Sequence, residues 1–112
     1  MRGRNGSGFL GVLEFELFLP WNGSLKGKRK HLLRAKAQLH ERLGASVAEV
    51  DHHDLWQRAR LTLVVVRRDP GDVQRALAEA ERYLAAQEYE LAAVRRHVLS
   101  VADDLPGLTG FR

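Results

Sequence analysis

The chain has 112 residues, no cysteine, 45% apolar residues and a formal charge of +4. That length suits one domain with its own core, and the lack of cysteine excludes disulfides and thiolate metal sites. No apolar run approaches the ~20 residues of a membrane span, so no membrane partner is expected, and the cysteine-free composition agrees with a cytoplasmic protein.

Residues 1–8, polar and glycine-rich, lack the apolar core of a secretory signal and are expected to be a flexible lead-in. Phe9 to Leu19 alternates Leu13, Phe15, Leu17 and Leu19 with Glu14, Glu16 and Phe18, the period of a half-buried strand. Pro20-Trp21-Asn22-Gly23 breaks it, and Ser24 offers an N-cap to a helix. Leu25, Leu32, Leu39 and Leu43 form that helix's apolar stripe, and Gly44 ends it. Lys36 falls ~20° from Leu25 on the helical wheel, inside the stripe, and is expected to snorkel along the core edge. Gly27 in the first turn weakens the helix by up to ~1 kcal/mol relative to alanine.

Ser46 to Val50 reads as a short strand, followed by the connection Asp51-His52-His53-Asp54-Leu55-Trp56-Gln57, which two large apolar residues are expected to anchor. Arg58 to Arg67 is the most strand-like segment, with Leu61, Leu63 and Val65 on one side and Arg60, Thr62, Val64 and Val66 on the other. Asp69 and Pro70 then give an N-cap and a first-turn proline for a second helix to about Gln87, buried through Val73, Leu77, Ala80 and Leu84. Tyr89 to Val101 reads as a last strand, and residues 102–112 as a loose tail.

The order β-α-β-β-α-β, with right-handed crossovers, predicts an α+β ferredoxin-like sandwich over residues 9–101. Both helices lie on one face of a four-stranded antiparallel sheet. The open face would hold Val12, Glu14, Glu16 and Phe18 beside Arg60, Thr62, Val64 and Val66.

Several runs carry a resemblance. Gly11-Val12-Leu13-Glu14, Glu16-Leu17-Phe18, Ser24-Leu25-Lys26, Lys28-Arg29, Ser46-Val47-Ala48-Glu49-Val50-Asp51-His52 and Asp54-Leu55-Trp56-Gln57-Arg58-Ala59 are similar to the YlxP-like family of small bacterial proteins of unknown function. The resemblance spans roughly residues 9 to 101. It implies a ferredoxin-like fold and genes that often neighbour those of transcription and translation factors. It implies no activity and no catalytic residues. His53, where glutamine is usual, and Lys36, where an apolar residue is usual, depart from the family's pattern.

Charge is the sharpest functional signal. Ser24 to Leu43 carries seven Lys or Arg against one acid, Glu41, a local balance of +6 that leaves −2 for the rest of a +4 chain. Lys26, Lys28, Arg29, Lys30 and Arg34 are therefore the candidate phosphate contacts, with a solvated helix face as the competing reading. The Asp51-His52-His53-Asp54 run has ligand and general-base residue types, but consecutive side chains diverge. A turn with Asp51 or Asp54 capping amides is favoured over a metal site or a metal-dependent enzyme, for which Glu49, His31, His40 and His97 are the further candidate ligands. Trp56 is expected in the core or a dimer contact, and Trp21 at an edge or a partner contact. Strand three offers the open sheet face no aromatic, and Glu14 and Glu16 repel phosphate there, which argues against base stacking on the sheet. Glu14 or Glu16 is expected to pair with Arg60.

The sequence therefore predicts a non-enzymatic accessory protein that binds RNA or a ribosomal assembly through its basic helix, with no cofactor. A homodimeric interaction domain using the open sheet face is the alternative.

Overall fold

The computed structural model describes residues 4–105. Strand β1 (Phe9–Phe18) leads into α1 (Leu25–Leu43), then β2 (Ser46–Asp51), β3 (Arg58–Arg67), α2 (Pro70–Ala85), β4 (Glu90–Ser100) and a closing turn α3 (Val101–Asp104). The sheet order is β2-β3-β1-β4 with every neighbouring pair antiparallel, the α+β ferredoxin-like arrangement. Each helix crosses from a central strand to an edge strand on the far side of the other central strand.

Local chemistry sets the boundaries. Ser24 Oγ accepts the Gly27 amide at 2.9 Å, and Gly44 closes α1 at φ 66° with its amide on His40 O. Asp69 caps α2 through the Asp72 amide, with Pro70 in the first turn. The core lies between sheet and helices: Leu13, Phe15, Leu17, Leu61, Leu63 and Val65 meet Leu32, Leu39, Val73, Leu77, Ala80 and Leu84. Gly11 lets α2 approach the sheet closely, because a Cβ there would lie 2.5 Å from Val73 Cγ1.

The start of the tail differs from expectation. Val101–Asp104 forms a helical turn capped by Ser100, and the Val101 amide reaches Gly8 O at 3.1 Å. Arg4–Ser7, within the lead-in, forms a 3-10 turn that contacts it. The expectations for residues 1–3 and 106–112 lie outside the described residues. Among the described residues no helix is long and apolar enough to cross a membrane.

Candidate nucleic-acid interface

The five candidate cations do not share one surface. Lys26, Arg29, Lys30 and Arg34 are exposed, whereas Lys28 is 1% exposed. This corrects the expectation for Lys28. Its position follows from spacing, since residues 25, 28, 32, 35 and 39 repeat at three and four along one helix face. Its ammonium donates to Glu49 Oε2 and His52 O, each at 2.8 Å, and to His53 O and Arg58 O, each at 3.3 Å. A buried charge survives only with such partners. Lys28 therefore fastens the β2–β3 connection to α1 and reaches no phosphate from there. Lys36 is only half-buried, so the cation held in the core is Lys28.

Arg42 is also engaged, with its guanidinium 4.9 Å from the Tyr83 ring centroid. Lys26, Arg29, Lys30 and Arg34 make no side-chain ion pair or hydrogen bond with another described residue. Lys26, Arg29 and Lys30 border a shallow depression of about 550 Å³ with Leu33, which is 65% exposed. Arg34 borders a second cleft of about 210 Å³ with His31, Tyr83, Gln87, Tyr89 and the acidic Glu88. Burial pushes the Tyr89 phenol well up from its ordinary range.

The turn before α1 and the β2–β3 connection form one unit. Asn22, itself buried, donates through Nδ2 to Ser24 O at 2.7 Å and to Trp56 O at 2.6 Å. Gln57 Nε2 donates to Pro20 O at 2.8 Å and Asn22 O at 3.1 Å, and the Leu19 amide to Gln57 O at 2.9 Å. Gly27 belongs to the same unit, since any Cβ there would collide with Asn22 Oδ1. Leu55 and Trp56 do not anchor this connection: Trp56 is 53% exposed and Leu55 is exposed too. Side-chain hydrogen bonds from Asn22 and Lys28 to its main-chain carbonyls hold the loop in their place. Trp21 is 49% exposed, its ring centroid 4.9 Å from that of His31 in an edge arrangement. Phe18, Asp54, Leu55, Trp56, Gln57 and Arg58 line an open cleft of about 620 Å³ on the same unit.

The Asp51–Asp54 run behaves as a turn. Asp51 Oδ1 accepts the His52 amide at 2.7 Å, which together with the nearby His52 ring holds the Asp51 carboxyl below its ordinary range, and His52 adopts φ 66°. The further candidate ligands are dispersed. Glu49 meets Lys28, His97 Nε2 meets Glu14 Oε2 at 2.6 Å, His31 meets Trp21, and His40 Nδ1 lies 3.4 Å from Ala45 O. Among the described residues, no three His, Asp or Glu side chains are grouped to hold a metal ion.

The open sheet face carries ion pairs instead. Glu16 accepts from Arg58 Nε and Nη2 and from Arg60 Nε at 3.0–3.1 Å, so the expected partner Arg60 is joined by Arg58. Those hydrogen bonds, Arg58's first, hold the Glu16 carboxyl below its ordinary range. Glu14 is held low in the same way by His97 and Arg95 of β4. No signal in the sequence marks these β4 partners, because a bulge shifts the β1–β4 register between Glu14 and Glu16.

A family model described as "Protein of unknown function (DUF503)" matches residues 10–97, so the chain belongs to that family. No curated protein matches it. Two solved structures are similar in outline. The de novo designed protein Ferredog-Diesel shares 18% identity at a TM-score of 0.43, covering 79% of this chain and 83% of its own. SnoaB, a cofactor-independent oxygenase from Streptomyces nogalater, crystallised as a mutant, shares 16% identity at a TM-score of 0.43, covering 89% and 98%.

Proposed function

We propose that this member of a family without assigned activity is a non-enzymatic, cytoplasmic accessory protein that binds RNA or a ribosomal assembly through the outer face of α1. The observation that carries the proposal is one exposed helix face on which Lys26, Arg29, Lys30 and Arg34 stand without a side-chain ion pair among the described residues. Lys26, in the first turn, is mildly destabilising there, by ~0.3–1 kcal/mol, and a polyanion reverses that term. The sequence's resemblance to the bacterial YlxP-like proteins, with their neighbouring translation-factor genes, supports the same reading.

Filter binding of structured RNA at several salt concentrations tests it. Replacing Lys26, Arg29, Lys30 and Arg34 together by alanine should weaken binding and flatten the salt slope by about one for each phosphate left without its cation. Unchanged affinity and slope refute the proposal. A homodimer is the second reading, favoured by Val66, which is 61% exposed and lies beside Leu10 on the open face. Light scattering that finds only monomer at high concentration removes it.

A further inference from the structure

Building on the proposed RNA-binding face, we infer that the preferred ligand is single-stranded RNA, with unpaired bases stacking on Trp21 and Trp56 while α1 holds the phosphates. Apolar surface normally leads a large ring into the core. Here the backbone beneath both indoles is tightly held, by Asn22 on Trp56 O and by Gln57 on Pro20 O and Asn22 O. Yet the rings themselves are 49% and 53% exposed. A rigid backbone presenting exposed indoles is what a stacking platform requires, since little order is lost when a flat partner arrives.

The surroundings select the partner. Phe18 lies under the Arg58 guanidinium, 5.2 Å from its ring centroid, and both line the cleft beside Trp56. Trp21 stands three residues before the Ser24 cap of α1, the helix that bears Lys26, Arg29, Lys30 and Arg34. Exposed indoles next to the α1 cations pair base-stacking faces with phosphate-binding charges, the two groups that a strand of nucleotides offers, while Arg58 stays paired with Glu16. A duplex hides its base faces and offers the indoles nothing to stack on. A second copy of this chain fits poorly, because a two-fold contact centred on Trp21 and Trp56 would bring two basic helix starts together.

The chain has two tryptophans, so its own fluorescence reads the contact directly. The probes are an oligouridylate of about twelve nucleotides, an RNA duplex of similar length and an acidic oligopeptide. Oligouridylate should quench the emission to saturation and bind at least about tenfold more tightly than the duplex. Trp21→Leu or Trp56→Leu should each weaken oligouridylate binding about tenfold, the share of one stacked base, and leave duplex binding unchanged. Both residues are exposed, and circular dichroism is the check that the variants fold. If single strand and duplex bind alike with unaltered emission, stacking is refuted and the basic helix reading stands. If neither nucleic acid binds at low salt, both readings fall. Equal quenching and affinity with the acidic oligopeptide overturns the assignment in favour of a protein partner.

Discussion

Replacing Lys28 by methionine should destabilise the protein strongly and leave its affinity for RNA untouched. Methionine keeps most of the aliphatic stem and removes the ammonium. Four acceptors lose their shared donor: Glu49 Oε2 and the carbonyls of His52, His53 and Arg58. Breaking a buried ion pair from one side costs about 3–5 kcal/mol. Glu49 retains 15% side-chain exposure and can recover some hydration, which places the loss near the lower limit, about 3 kcal/mol. With an unfolding entropy of ~2.1 cal/mol/K per residue over 112 residues, that loss lowers Tm by about 13 °C.

Urea titration and calorimetry measure the loss. The double variant Lys28→Met with Glu49→Leu should recover part of it, since the unpaired carboxylate is gone and only the three carbonyls remain unsatisfied. Hydrogen exchange should accelerate across residues 52–58 before the rest of the sheet responds. A single variant within about 1 kcal/mol of the parent, or a double variant no more stable than the single, refutes the account of Lys28 as a buried fastener. An unchanged salt slope for RNA, measured well below the new Tm, separates Lys28 from the exposed cations.

Two further outcomes follow from the packing and the sheet charges. Gly11→Ala should cost about 1–3 kcal/mol by urea titration, because its Cβ would meet Val73 Cγ1 at 2.5 Å and α2 would have to move from the sheet. Glu16 is held below the ordinary carboxylate value of 4.5, so its pairs with Arg58 and Arg60 contribute fully above that value and lose their contribution as pH falls through the lower folded pKa. Glu16→Gln should therefore be less stable than the parent near pH 7, and the gap should close as the titration descends below pH 4.5.

Periodicity and caps made the fold legible. The alternation of Arg58 to Arg67 and the Ser24, Gly44, Asp69 and Pro70 signals mark element ends that the structure places within a residue or two. Lys28 shows where that method stops. It stands at a stripe position by spacing, but a stripe counted only from apolar residues passes over a lysine. Its burial depends on Glu49, which lies 21 residues away, and on main-chain carbonyls, which carry no sequence signature. The same blindness affects the core half of the expectation for Trp56. Residue type predicts that an indole beside a leucine goes inside or into a dimer contact, while the hydrogen bond that fixes its backbone at the surface comes from Asn22, a distant polar residue.

These observations separate two tasks within the Asp51–Gln57 connection. Lys28 and Asn22 hold it by its carbonyls, at His52, His53 and Trp56. Carbonyl oxygens are the same in every residue, so this fastening places little demand on the side chains above it. His53, Asp54, Leu55 and Trp56 are all exposed, and the fold does not consume them in its core. Substitution should therefore divide cleanly. Removing Lys28 lowers stability and spares binding, whereas removing Trp56 spares stability and lowers binding. A Trp56→Leu variant that loses as much stability as Lys28→Met would mean that the indole is structural after all, and the stacking platform would lose its basis.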